Sequence, residues 1–394
     1  MHDVIIVGGG PAGLRAGALL AGQGWDVALY EEHLTAGEPV HCTGVLAAEA
    51  YDELDLPRDP VLNSLSRVRF FAPSGEDVDY TTPTIEALVI DRRLFDQQLH
   101  ERALGAGVQI TSGVRVTEIT PARSSAQVSF ADGSTATGRV VILACGANYV
   151  FQRRLGMGMP SVFLQSAQVE CAAGPIDTVQ VHFGHRVAPS GFAWVVPVRR
   201  GPVTMARVGL MCEGHAAQHF RRFVDRVGAE AGLPRGDDPS MEPRSKMLPL
   251  APLPKTYSDR VLAVGDAAGL VKATTGGGIY YSLVSAGIAA DVLDDALRAD
   301  RLMADGLEPY QRTWRRRLGP ELEAQLSLRL LANRMTDEQI DELFELAHTD
   351  GIMPIVRRTA RFNRHRDLIL SLFKHPPARK LFFRRMTGRS VAML

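Results

Sequence analysis

The sequence has little of what would mark a membrane, metal-built or disulfide-bonded protein. Only four of its 394 residues are cysteine (Cys42, Cys145, Cys171, Cys212). They are widely spaced, with no CxxC pair and no Cys/His set of zinc spacing, so neither a structural metal nor a disulfide framework is expected. That pattern fits a reduced, cytosolic protein. No run reaches the 18 or more apolar residues of a membrane span; the nearest stretch, residues 269–293, is interrupted by Lys272 and Asp291. The first apolar run, Val4 to Val7, enters a glycine motif rather than a cleavage site, which argues against a signal peptide. Internal repeats and low-complexity tracts are absent, and no lysine precedes Lys246. What is present is globular composition, 45% hydrophobic and 22% charged. At roughly 150 residues per domain, the chain should hold two or three units.

Charge is balanced overall but not along the chain. Residues 351–394 carry eleven Lys/Arg against one acid, Asp367, while the remainder is acidic by ten charges. A basic end of this kind suits an anionic partner such as lipid headgroups or phosphates. Nucleic acid is not expected, because neither aromatic RNA-binding motifs nor a helix-turn-helix pattern accompanies the charge.

The N-terminus reads as a buried strand, Asp3 to Val7, running into Gly8-Gly9-Gly10-Pro11-Ala12-Gly13 and a helix, Leu14 to Gln23. A second strand, Asp26 to Tyr30, ends at Glu31-Glu32. Gly8 permits the tight turn, Gly10 lets backbone approach a pyrophosphate, and Gly13 lets helix and strand pack closely. The helix N-terminus offers N–H groups and partial positive charge to a diphosphate. Glu31, 23 positions after Gly8, is placed to accept hydrogen bonds from ribose hydroxyls. Strand, glycine turn, helix and second strand together supply the context that a lone GxGxxG lacks.

Two further segments belong with this one. Arg260 to Gly265 is a strand that delivers Asp266-Ala267-Ala268-Gly269, followed by Thr274-Thr275-Gly276-Gly277-Gly278-Ile279 and a helix to about Arg298. Asp266 can accept a hydrogen bond from a ribitol hydroxyl; the competing role is a helix N-cap. The glycines let N–H groups reach a flavin pyrimidine, where a helix N-terminus stabilises negative charge on reduction. The third segment, Leu88 to Asp96, precedes a helix to Ala106, on which Leu94, Leu99 and Leu104 are read as the core face. Arg92 at its start could neutralise a phosphate or bond the ribityl chain.

With these motifs in place the chain resembles the geranylgeranyl reductase family of FAD-dependent oxidoreductases, within the p-hydroxybenzoate hydroxylase-like superfamily. The resemblance rests on Gly8-x-Gly10-x-x-Gly13, Pro39-Val40-His41-Cys42-Thr43-Gly44, Arg92-x-x-Phe95-Asp96, Phe192-Ala193-Trp194-Val195-Val196-Pro197, Gly265-Asp266-Ala267-Ala268-Gly269 and Gly276-Gly277-Gly278-Ile279-Tyr280-Tyr281. It departs from the superfamily at Ala144-Cys145-Gly146, where an acid often stands in the middle. It departs from the reductases at Phe192 and Val196, where Tyr and Phe are usual.

The resemblance implies an α/β fold: a Rossmann-type FAD-binding domain (1–65, 88–150 and 256–299), an inserted antiparallel substrate sheet (66–87 and 151–255) and a helical C-terminal region with a basic tail (300–394). Carried over residue by residue, the FAD contacts are Gly8, Gly10, Pro11, Ala12, Gly13, Glu31, Cys42, Arg92, Val116, Gly265, Asp266, Gly276, Gly277, Gly278 and Ile279. Cys42 is also the candidate proton donor, and His41 beside it should point away. Phe192, Trp194, Tyr280 and Tyr281 are expected to line a tunnel for an apolar chain. The implied activity is hydride transfer from flavin to C=C bonds of an isoprenoid lipid, prenyl diphosphate or quinone. The electrons would come from NAD(P)H or a reduced carrier protein, because no second GxGxxG is present. The enzyme would be cytoplasmic or peripheral at the inner membrane face. A flavin monooxygenase on a lipophilic substrate is the alternative, and an FAD-stabilised lipid carrier a third. Halogenation is disfavoured by the lack of an early lysine.

Overall fold

The computed structural model describes residues 1–349 and 351–383. Three of the eleven basic residues of the C-terminal end, Arg384, Arg385 and Arg389, lie outside the described residues.

The N-terminal strand His2–Val7 forms because Val4, Ile5 and Ile6 are fully buried on both faces, as a parallel strand covered by helices requires. It sits in the middle of an eight-stranded sheet, between Val27–Glu31 and Thr135–Leu143, parallel to both. Gln109–Ser112 extends one side, and Val261–Ala263 and Tyr257–Ser258 the other. The chain thus leaves His2–Val7 in one direction and returns on its other flank, and a crevice opens at the carboxyl ends where the order switches. Helix Pro11–Gly22 packs on this sheet with helices Arg92–Gly105 and Ile279–Arg298 against it, and Tyr310 of the long helix Ala304–Ala332 hydrogen-bonds the Ala263 carbonyl.

A second sheet has seven strands in the order Arg244–Pro249, Phe163–Ala172, Val203–Cys212, Phe192–Arg200, Val179–His182, Arg67–Phe71 and Asp77–Thr81. Period-two alternation gives it two different faces. Ala193 and Val195 point to helix Ala216–Ala231 and its Phe220 and Phe223. Phe192, Trp194 and Val196 point the other way, into the space described below. A small sheet of Val45–Ala47, Ala87–Ile90 and Val61–Leu65 bridges the two.

One local reading changes. Helix Arg92–Gly105 buries Phe95, Leu99 and Ala103, whereas Leu94 and Leu104 are 38% and 48% exposed. Spacing of five carries a side chain well past one turn, and spacing of four keeps one face. Helix Asp337–Thr349 starts at a reciprocal capping box, in which Thr336 Oγ1 accepts from Gln339 N while Gln339 Oε1 accepts from Thr336 N, with Asp337 and Glu338 in the first turn.

Candidate active site

A cavity of about 1250 Å³ runs from the carboxyl ends of the first sheet to the inner face of the second. That exceeds the roughly 300–1,000 Å³ of a single small-molecule pocket, leaving room for a dinucleotide and a second ligand.

One end is built by Gly8 to Ala12. Gly8 has φ 110°, and a Cβ there would meet the Ala144 carbonyl oxygen at 2.4 Å. A Cβ on Gly13 would meet the Gly8 oxygen at 2.1 Å, so this glycine faces the strand rather than the cavity. Gly10 has nothing within 4 Å of the corresponding position. It is also the N-cap of helix Pro11–Gly22, with no side-chain cap and no acid in the first turn, which leaves the N–H groups for a ligand. Glu31 lines the same end; its Oε2 accepts from Gly9 N at 2.6 Å and its Oε1 from His33 N at 2.9 Å. Val116 lies alongside. An open glycine, a free helix N-terminus and the Glu31 carboxylate, 22 residues after Gly9, fit a dinucleotide's diphosphate and ribose.

The second glycine turn closes on itself: Lys272 N donates to the Gly277 carbonyl and Gly276 N to the Lys272 carbonyl. Gly276, Gly277, Gly278 and Ile279 line the cavity, as does Asp266. Gly278 caps helix Ile279–Arg298 without a side-chain hydrogen bond, so the N-cap role weighed for Asp266 is not formed. Gly265 is buried away from the cavity, at φ 58°. A Cβ there would press on Ser282 Oγ at 2.6 Å and Ala12 Cβ at 3.2 Å, so its absence lets the two helix starts approach.

Cys42 lies on the loop between the first sheet and the small one. Its Sγ accepts the Gly44 N–H at 3.3 Å, and the Arg92 charge acts on it. Arg92 is also held by a bidentate pair with Asp96 at 2.8 and 3.1 Å. Burial alone would lower the Arg92 pKa, but Asp96 and Cys42 outweigh it and hold the group above its ordinary value. Arg92 lines the cavity with its charge shared between an acid and a sulfur. His41 Nδ1 is buried without a protein partner, and burial pushes the imidazole pKa down.

Across from Cys42 the second sheet supplies Phe192 and Trp194, with ring centroids 5.7 Å apart. Trp194 Nε1 is buried and unpartnered. The C-terminal region completes the wall with Leu328, Met335, Phe344, Leu368 and Leu372. Tyr280 and Tyr281 do not take part, which corrects the expectation. The Tyr280 hydroxyl bonds Glu53, and Tyr281 is 1% exposed with its hydroxyl on the Asn363 carbonyl. Both sit in the first turn of helix Ile279–Arg298, where Ile279 and Ser282, three apart, take the cavity side.

Some residues escaped the sequence reading. Arg207, 4% exposed, donates to the carbonyls of Thr43 (2.6 Å) and Ile90 (2.8 Å) and to Glu170 (2.8 Å). It ties the Cys42 loop to the substrate sheet, assisted by a Thr43 to Gln168 hydrogen bond at 2.7 Å. Its signal was a charge inside an apolar strand, Ala206-Arg207-Val208. Lys272, 2% exposed, interrupted an apolar run and was read only as evidence against a membrane span. No helix among the described residues is long and apolar enough to cross a membrane.

The family model described as lycopene cyclase protein matches residues 3–349. The digeranylgeranylglycerophospholipid reductase of Methanocaldococcus jannaschii is 28% identical over 370 residues, covering 88% of this chain and 90% of that protein. A geranylgeranyl bacteriochlorophyll reductase-like protein from Thermoplasma acidophilum superposes with a TM-score of 0.80 at 20% identity, over 97% of this chain and 98% of that one. The halogenase PltM in complex with phloroglucinol and FAD superposes at 0.70 with 15% identity, over 99% and 93%. The last two likenesses establish a shared α/β fold, one that holds FAD in the halogenase.

Proposed function

The chain belongs to the lycopene cyclase protein family, and from that premise we propose that it is an FAD-dependent reductase that saturates C=C bonds in an isoprenoid chain. The single observation that carries the reading is the cavity itself. It is continuous from a dinucleotide-shaped glycine turn, past Cys42, to an aromatic and aliphatic chamber. The curated relative's name, a reductase of a geranylgeranyl phospholipid, fits the same arrangement. Burying each CH2 of such a chain contributes about 0.8 kcal/mol, so an apolar tunnel suffices to hold it.

Bound FAD, once reduced, supplies a hydride from N5 to one carbon of the double bond. The protein's part is to place that bond and deliver a proton to the other carbon. Cys42 is our proton donor: it lines the cavity, and the Gly44 N–H and the Arg92 charge would stabilise the negative charge left behind. Solvent returns the proton, and each double bond consumes two electrons from the donor. Arg207 keeps the loop against the sheet, so that Cys42 and the Trp194 wall hold a fixed separation. The electron donor is NAD(P)H reaching the flavin directly or a reduced carrier protein. Exposed Arg357, Arg358, Arg361, Arg364 and Arg366 support docking at an anionic membrane surface.

The test is anaerobic incubation of dithionite-reduced protein with geranylgeranyl phospholipid in vesicles, followed by mass analysis of the lipid. We expect mass gains in steps of two hydrogens with return of the oxidised flavin spectrum. The rate should be higher on anionic than on neutral vesicles and should fall with salt. An unchanged mass with a new ring would make it a cyclase. Gain of oxygen only in air would make it a monooxygenase, and neither change with tight lipid binding a carrier.

A further inference from the structure

Beneath the second glycine turn lies positive charge that neither holding an apolar chain nor protonating it requires. Lys272 is 2% exposed, and its Nζ donates to two neutral oxygens, the Phe362 carbonyl at 2.9 Å and Asn363 Oδ1 at 3.4 Å. It also lies 4.1 Å from the centroid of the Phe362 ring. Arg329 is 7% exposed, and its guanidinium is spent on three carbonyls, those of Ala273, Thr274 and Ser190. Among the described residues, neither cation has a carboxylate within its hydrogen bonds. Glu321 on the long helix and Glu49 on Glu49–Leu54 act on Lys272 through their charge, while His365 on the C-terminal segment faces it as a base kept neutral by burial. Burial lowers Lys272 to about 7 and Arg329 to about 10, the direction expected of charges removed from water without a counter-ion.

Such an arrangement is unfavourable unless an anion completes it. Both side chains line the cavity, as does the turn they support. A Cβ on Gly277 would touch Lys272 Cε at 2.7 Å and lie 3.4 Å from its Nζ, so only the glycine backbone separates the ammonium from whatever rests on the turn. The helix start at Ile279, uncapped by a side chain, adds its own partial positive charge to the same point. Three sources of positive potential converge there.

We propose that Lys272 and Arg329 are the buried counter-charges for the flavin's pyrimidine edge, stabilising its two-electron-reduced anionic form over the oxidised one. The inference rests on the FAD reading above. A bound flavin that gained two electrons and one proton would carry one negative charge, which Lys272 and Arg329 would offset. The reductase would then hold a flavin that is easy to load with electrons from a modest donor.

The experiment is an anaerobic dithionite titration of the FAD-loaded protein against a reference dye. For the unaltered protein the midpoint should lie above that of free FAD. Lys272→Met, a buried neutral side chain of similar length, should keep the bound yellow flavin yet shift the oxidised-to-reduced balance at least tenfold toward oxidised, about 30 mV for a two-electron couple. Lys272→Arg should retain most of the original value. A midpoint for the unaltered protein at or below that of free FAD overturns the proposal whatever the variants do. So does a Lys272→Met protein with bound FAD and an unchanged midpoint, in which case the lysine only fastens Phe362 and Asn363 to the turn. Unaltered protein that stays colourless after reconstitution would sink the FAD reading instead, so the two failures are distinguishable.

Discussion

The two glycine turns that face the cavity treat charge in opposite ways. At the first, Gly8 to Gly13, the side chain supplied is an acid, Glu31, bonded to the turn's own Gly9 N–H. At the second, Lys272 to Gly278, it is a buried ammonium with a guanidinium behind it. A sugar offers hydroxyl donors and wants an acceptor; a ring that gains electrons wants a cation. The first turn is a backbone device, in which Gly8 and Gly13 tolerate no added atom. The second is a side-chain device wrapped in backbone, and its parts come from three distant segments: Lys272, Arg329 and residues 362–365.

The largest expected effect separates the turns by the same small change. In Gly13→Ala the new methyl meets a backbone oxygen at 2.1 Å, and neither strand nor helix can yield. We expect no bound flavin and a sharply lower melting temperature. In Gly277→Ala the methyl meets Lys272 Cε at 2.7 Å, the flexible part of a side chain, which can swing aside. FAD should remain bound, with less than a tenfold change in affinity and a midpoint displaced in the direction of Lys272→Met. Absorbance of the purified proteins near 450 nm decides the first half. Equal loss of flavin in both variants would break the contrast.

That contrast also explains what the sequence disclosed. The first turn, its strand and Glu31 were legible because each requirement falls on backbone geometry, and glycine is the residue that backbone geometry selects. The second sheet was legible as an antiparallel insert within 66–87 and 151–255, where strands such as Phe163–Ala172 and Phe192–Arg200 lie. Lys272 was not legible, because its partners stand about ninety residues downstream and no local period links them. The two tyrosines were misplaced for a related reason. Adjacent positions on a helix differ by about 100°, so their neighbourhood was right and their direction wrong. Arg207 illustrates the same limit, since its role depends on two carbonyls more than one hundred residues away.

A smaller effect isolates the region between the turns. Cys42 touches neither glycine turn through its sulfur, whose partners are Gly44 N–H and Arg92. Cys42→Ser should therefore leave the flavin spectrum, FAD affinity and midpoint as they were. Single-turnover reoxidation by the isoprenoid should slow by about 10²-fold, the scale of a lost proton donor. Unchanged reoxidation would assign the proton to another group and leave Cys42 as a packing residue, with both turns still intact.

The smallest effect is in pH, and it too falls on one turn only. His365 fastens the C-terminal segment to the second turn: its Nδ1 lies 2.7 Å from Thr274 Oγ1 and its Nε2 3.0 Å from the Phe362 carbonyl. Burial first, and then the Lys272 charge, push its pKa down to about 3. In the unfolded chain the imidazole titrates near 6.5. Between those values the unfolded state binds the extra proton, so the stability from this contact is whole above pH 6.5 and drains as pH falls toward 3. At the first turn the imidazole is not buried: His33 Nδ1 lies 2.5 Å from Glu31 Oε1 with its side chain 49% exposed. Removing the imidazole while keeping a polar partner, as in His365→Asn, should lower the melting temperature at pH 7.5 by a few degrees. The variant should lose less than the unaltered protein between pH 7.5 and pH 5. Parallel acid limbs would mean that His365 takes its proton without leaving Thr274, and that the second turn is no more pH-sensitive than the first.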